Sequence, residues 1–277
     1  MKKLLSLFLL TIGYVAISFQ SVLPTHLFCL FSVLGYMSVP LFADLLLTGF
    51  NHTKNTYIYG LRIGILAFLT QSIRTGGFAV TGNATFALTL NGAFSLLFSL
   101  CIITGMEILL SLPKDRVASM NLINANPISK STRYGVIVSG SDVNHMPPGL
   151  KLPKLPRSSI HMLSILMILI CIVLPLFLPL EFGFLPILCV VILFIVNRWA
   201  EKKLVYALLF FAIVAGAYCY TLYHFTGTWS LEWTAIGGIP LCYLLPEGKK
   251  PNPIVSRLLY FYYPLLFIAL FVILFVA

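Results

Sequence analysis

What this sequence has least of is charge. Only 9% of its 277 residues are Asp, Glu, Lys or Arg, and just eight are acidic. An ordinary water-soluble domain carries about a quarter of its residues as charged side chains, so this scarcity excludes a soluble globular fold. Enzyme fingerprints are equally missing. There is no G-x-S-x-G, H-E-x-x-H, Walker or dinucleotide motif, so the usual soluble-enzyme chemistry has no foothold. The six cysteines show no C-x-x-C spacing and no His at ligand distance, which excludes a metal site and a disulfide framework and reads them as small core side chains. No compact basic patch with interleaved aromatics occurs, which excludes nucleic acid as a partner.

What is present is hydrophobic sequence. It makes up 59% of the chain, and the mean hydropathy is +0.98. A helix crosses a hydrocarbon core of about 30 Å with roughly 17–25 apolar residues, fewer where flanking side chains snorkel. Nine stretches qualify: 4–20, 27–48, 57–73, 85–110, 160–179, 183–197, 203–222, 232–246 and 258–276, of which the third, sixth and eighth are short. None alternates with period two, so helices rather than a barrel are predicted. The fold class is therefore all-α, a polytopic transmembrane helical bundle of about nine spans. Its parts are an N-terminal membrane bundle (1–110), a polar loop (111–159) and a C-terminal membrane bundle (160–277).

Seventeen of the eighteen Lys and Arg residues fall in or beside alternate gaps between these spans. The exception is Arg74, in the gap after the third. By the positive-inside rule the N-terminus is cytoplasmic and the C-terminus outside. The net charge of +10 is mostly this topology signal, with some attraction to anionic lipid headgroups. The start, Met1-Lys2-Lys3 before an apolar run, also resembles a secretory signal peptide, although Ala16-Ile17-Ser18 is a poor cleavage site. Segment 111–159 is rich in Ser, Asn, Pro and Gly and reads as a connector, with Tyr134–Val138 able to pair as a short strand and a basic tether from Lys151 to Arg157.

Charged side chains within a span are costly and by default mark function. Asp44 and Glu107 both fall in the inner leaflet in this topology. They are expected to meet Arg62, Lys54 or His52 at the cytoplasmic mouth, either as a working site or as structural ion pairs with Glu107 snorkelling to the interface. Gln71, Asn83 and Asn91 form a polar line through spans three and four, a pattern typical of interhelical packing. On the outer side His224 and Glu232 flank a turn and could form an acid–base pair. Small residues four apart, Gly60 with Gly64 and Ala212 with Gly216, are the expected places for close helix contact.

Two stretches are similar to a known family. Pro40 to Asn55 (PLFADLLLTGFNHTKN), followed by Tyr59-Gly60-Leu61-Arg62 and Ala67 to Gln71, resembles the N-terminal signature of the TraX family. Tyr243 to Lys250, then Leu258 to Pro264 (LLYFYYP), resembles its C-terminal ending. Asn83-Ala84-Thr85-Phe86 matches a further element weakly, and the middle of the chain is not covered. That family comprises polytopic bacterial inner-membrane proteins of pilus systems, including the conjugative-pilin N-acetylase and fimbrial assembly factors. The resemblance implies a role in fimbria or pilus biogenesis, with a fimbrial subunit and membrane lipids as partners. At its most specific it implies acetyl transfer from acetyl-CoA to a subunit's amino terminus, with Asp44 and His52 as catalytic groups and Lys54 and Arg62 on the CoA phosphates. The chain departs from the family where Gly13-Tyr14 replaces an Asp-His pair, where Thr48 replaces an acidic residue, and where Leu265 follows Pro264 in place of a His. Two alternatives stand beside an assembly role: a working membrane acyltransferase, and a small transporter or lipid-handling protein.

Overall fold

The computed structural model describes residues 1–82, 89–111, 157–227, 229–246 and 253–276. Among these there is no strand. The helices are α1 Lys2–Ser18, α2 Thr25–His52, α3 Thr56–Thr81, α4 Gly92–Ser111, α5 Arg157–Phe177, α6 Leu185–Trp199 and α7 Lys203–Thr226. They are followed by a 3-10 turn Leu231–Gly237, then α8 Gly238–Leu244 and α9 Pro253–Val276. Five helices are long and apolar enough to cross a membrane: α2, α3, α4, α5 and α7. The whole of 111–159 except its first residue and its last three lies outside the described residues, as do Asn83 to Phe86 and the predicted strand Tyr134–Val138.

Local sequence explains the hairpins. Asn55 caps α3 by accepting from the N–H groups of Tyr57 and Ile58, while Thr53 Oγ1 sits within hydrogen-bonding reach of the Asn55 backbone. A side-chain oxygen at this position satisfies two of the N–H groups that a helix start leaves open. The Asn51–Asn55 turn is thus held by its own polar side chains. Pro40 within α2 withdraws one donor from the helix ladder, on the face where Gly238 packs against the α2 backbone.

The largest core cluster joins α2, α4, α6 and α7 with the 3-10 turn and α8, through Phe50, Ile103, Leu193, Phe211, Ala235 and Ile239. A second joins α1, α3, α4 and α9, through Leu10, Tyr14, Phe94, Phe267 and Leu270. Helix α6 is short, yet nine of its fifteen residues are buried, because it lies inside the bundle. Helices α5 and α7 are peripheral and expose Leu163, Leu166, Leu209 and Ile213. Those exposed apolar faces are what a hydrocarbon surrounding would cover.

The close helix contact is not where residue spacing predicts it. A Cβ on Gly13 would lie 2.8 Å from the Gly35 Cα, and one on Gly35 would lie 2.7 Å from the Gly13 Cα, so α1 and α2 touch backbone to backbone. By contrast, Cβ atoms on Gly60 and Gly64 would meet only ordinary contacts at 3.5 and 3.9 Å, and one on Gly216 would meet open space. Spacing within one helix makes a groove, but contact needs a partner helix that presents an equally bare surface.

Candidate functional site

Among the described residues, one buried polar cluster is built from five separate segments. Helix α3 continues to Thr81, past the predicted end of its span, so Arg74 lies inside the helix rather than in a gap. Only 2% of it is exposed. Its Nη1 lies 2.9 Å from Glu181 Oε1, its Nη2 donates to Thr89 Oγ1 at 3.0 Å, and its guanidinium carbon sits 5.1 Å over the Phe267 ring. Nη1 and Nε still lack a well-aligned acceptor, so the pair holds through charge more than through hydrogen-bond geometry.

Glu181 belongs to the short connection between α5 and α6. Its other oxygen, Oε2, accepts from the Tyr14 hydroxyl at 2.6 Å, the Tyr263 hydroxyl at 3.1 Å and the Gly92 N–H at 3.0 Å. The Tyr14 and Tyr263 oxygens are themselves 2.7 Å apart. Two phenolic protons serve three short contacts, so at any moment one contact lacks its proton. The Gly92 N–H belongs to the first turn of α4, where the helix dipole also favours a carboxylate.

Backbone pairing delivers Glu181 to this place. The Leu90 N–H donates to the Pro179 carbonyl at 2.8 Å, and the Glu181 N–H donates to the Leu90 carbonyl at 2.9 Å, an isolated parallel bridge. Gly183, at φ +53°, turns the connection back into α6 in a conformation that favours glycine. The Leu90 segment is tied in turn to α3. Asn91 Nδ2 donates to the Ala67 carbonyl at 2.8 Å, the Asn91 N–H donates to Gln71 Oε1 at 3.0 Å, and Gln71 Nε2 donates to the Thr89 carbonyl at 3.2 Å. Gln71 and Asn91 therefore do pack α3 against the start of α4, one turn before Arg74.

Beside this cluster is a cavity of about 130 Å³, whose walls include Tyr14, Ser32, Tyr36, Glu181, Phe182 and Leu231. Behind it Glu232 hydrogen-bonds Tyr218, whose hydroxyl also accepts from the Phe184 N–H at 3.3 Å. Glu232 and His224, expected as a pair, take different partners: the His224 ring packs edge-on against Tyr220 and Tyr223.

The residues singled out from sequence lie elsewhere. Asp44 is buried and pairs with Lys2 at 2.8 Å, and the same ammonium donates to the Cys242 carbonyl. Glu107 is buried and pairs with Arg198 of α6. The expected partners Arg62, Lys54 and His52 are replaced in both cases by a cation from another helix. The reason is geometric. His52 follows Asp44 by eight residues on one helix, which separates them by about 12 Å along its axis. His52, Lys54 and Arg62 are exposed, and His52 Nδ1 rests 2.9 Å from the Thr48 carbonyl. The structure thus assembles Arg74, Glu181, Tyr14 and Tyr263 but does not bring Asp44 and His52 together.

Two signals in the sequence pointed at the missed pair. Arg74 is the one cation that breaks the charge alternation, and Glu181 is a lone carboxylate between two apolar runs. Nothing in the sequence ties them to each other. Among the described residues no group of three His, Cys, Asp or Glu side chains could hold a metal ion. No family profile matches the chain, and no curated protein or solved structure is significantly similar to it.

Proposed function

We propose that this chain is a bacterial inner-membrane protein of nine crossings with a cytoplasmic N-terminus, acting in the biogenesis of fimbriae or pili. The topology draws support from the way polar contacts separate. Lys2, Asp44 and the Cys242 carbonyl meet at one end of the bundle, while Arg74, Glu181 and Gly92 meet toward the other. The 3-10 turn and α8 run from Leu231, at the cavity beside Glu181, to Cys242, at Lys2, which suits one further crossing.

One observation carries the functional reading. The two stretches similar to the TraX family lie near opposite ends of the sequence, yet they converge in space. Gln71, which closes the first, holds the Asn91 segment, and Tyr263, next to the last residue of the second, donates to Glu181 beside Arg74. Arg74 follows Gln71 by one helical turn. A shared cluster gives both stretches a common reason to carry their polar residues.

Acetylation of a fimbrial subunit is the most specific form of this reading, and the exposure of His52, Lys54 and Arg62 favours it. Exposed cations can meet the phosphates of acetyl-CoA from the aqueous side. The subunit's amine would attack the thioester carbonyl, forming C–N and breaking C–S, with the amine proton passing to His52 and on to the departing thiolate. Asp44 is occupied by Lys2, so His52 would act without it.

The test is the intact mass of the fibre subunit, with a count of surface fibres, in cells with and without the gene. Fewer fibres on deletion, restored by the parent but not by Arg74→Met, is the expected result. A subunit lighter by one acetyl group in the deletion strain and in His52→Ala would establish the chemistry. Unchanged mass with unchanged fibres would overturn the assignment and bring forward a transport or lipid-handling role.

A further inference from the structure

The cavity beside Glu181 has the composition of a binding pocket. It lies between the last turns of α1 and the first turns of α2, closed on the third side by Phe182 and Leu231. Gly13 and Gly35 bring the two helix backbones together at its floor. Ile17, which lines it, is 42% exposed, so the space borders the outside of the bundle. Its walls are mainly Leu10, Ile17, Phe28, Phe182 and Leu231.

One polar group in that wall has no partner. Ser32 is 8% exposed, and its hydroxyl makes no hydrogen bond. A helical serine can satisfy itself on the carbonyl one turn back, as Ser72 does on Phe68 and Ser99 on Ser95, whereas Ser32, like Ser18 and Ser95, does not. A buried hydroxyl left unpaired costs about 1–3 kcal/mol, so a partner in the cavity is expected. Water fits poorly, because an ordered water needs two to four polar partners and these walls are mainly apolar. Both Glu181 oxygens are taken, and the Tyr14 hydroxyl is bound to Glu181 and Tyr263.

Size and charge narrow the occupant. An apolar cavity of about 150 Å³ accommodates benzene, so this one admits a group of that order. Anions are disfavoured. The Arg74 charge is already matched by Glu181, and Glu232, beyond Tyr36, forms no ion pair among the described residues. An anionic head would find no cation in the lining to offset its burial at low dielectric.

We propose that this cavity binds a small uncharged amphiphile, such as an alcohol, phenol or short ester, with its head on the Ser32 hydroxyl and its apolar body against Leu10, Phe28 and Phe182. The site would take a membrane-partitioning small molecule or the corresponding part of a lipid. It stands independently of any role in fibre assembly.

The experiment is photolabelling of the purified full chain with a short alkyl diazirine alcohol, with adducts mapped by peptide mass spectrometry. Saturable adducts on Tyr14, Tyr36 or Glu181 are expected, competed by benzyl alcohol and not by benzoate. Ser32→Ala should weaken the competition about fivefold, the loss of one hydrogen bond. Ser32→Leu, which fills the space, should abolish the adducts while the protein still elutes as one species. If Ser32→Leu fails to fold, Ser32→Ala decides. Competition by a phospholipid carrying short ester chains would identify a lipid as the source, and its absence a free molecule. Adducts scattered over the exposed faces of α5 and α7 without saturation would overturn the proposal. So would benzoate competing as well as the alcohol.

Discussion

At the residue scale, each of the three ion pairs among the described residues joins two different elements. Lys2 binds α1 to Asp44 of α2, Arg74 binds α3 to Glu181, and Glu107 binds α4 to Arg198 of α6. The desolvation cost of burying two charges nearly offsets their attraction, so such a pair adds little net stability. Removing one partner strands the other and costs about 3–5 kcal/mol. Arg74→Met and Glu181→Leu should each lower the unfolding midpoint in detergent sharply. The double variant should recover most of the loss, since it leaves no buried charge. Additive losses in the double variant would mean that the two side chains do not act as a pair. Lys2→Met with Asp44→Leu should show the same non-additivity. These tests separate a structural role from a catalytic one: if Arg74→Met keeps full fold stability yet abolishes fibres, the cluster acts on a substrate.

At the element scale, the α1–α2 contact decides how the cavity is shaped. A methyl group on Gly13 would collide with backbone, which cannot yield as a flexible side chain can. Gly13→Ala is expected to cost about 1–3 kcal/mol, the usual range for forcing atoms into a packed site. Gly216→Ala, in open space on α7, should be neutral or slightly stabilising, because alanine favours a helix over glycine. Denaturant unfolding of the two variants checks the contrast, and equal effects would refute the backbone contact. The connections matter as much as the helices. The Leu90–Leu180 bridge and the Asn91–Gln71 bonds place a carboxylate where no helix could carry it.

At the scale of the whole molecule, the expected arrangement puts Lys54 in the cytoplasm and Trp229 outside. Both side chains are accessible, with Trp229 62% exposed. Single cysteines introduced at these positions, in a background without the six native ones, give a direct test with a membrane-impermeant maleimide. Trp229→Cys should label in cells whose inner membrane is intact, and Lys54→Cys only after that membrane is opened. Labelling of both from the same side would sink the nine-crossing arrangement.

Much of this architecture was legible from composition alone. A chain with so little charge and such long apolar runs must hydrogen-bond its backbone within helices when lipid surrounds it, and helices are what the structure contains. The helix ends were less legible: α3 runs on through Arg74 because Glu181 compensates a charge that hydropathy counts as a terminator. The eighth apolar stretch becomes a 3-10 turn and a two-turn helix, since packing of Gly238 against α2 governs its path. Asp44 and Glu107 are both buried within helices, and Lys2 and Arg198 take the place of the partners that sequence position suggests.

Residue order alone sets the class of molecule, the approximate helices, and which polar residues are costly to bury. These depend on local hydropathy and on spacing along one chain, which are properties of neighbouring residues. Packing between helices settles which charge meets which, where two glycines let helices touch, and that Tyr14, Arg74, Glu181 and Tyr263 form one cluster beside a cavity. A buried charge requires some partner of opposite sign. Which partner it finds depends on how the helices pack, and that is set by contacts between residues that sequence separation does not relate.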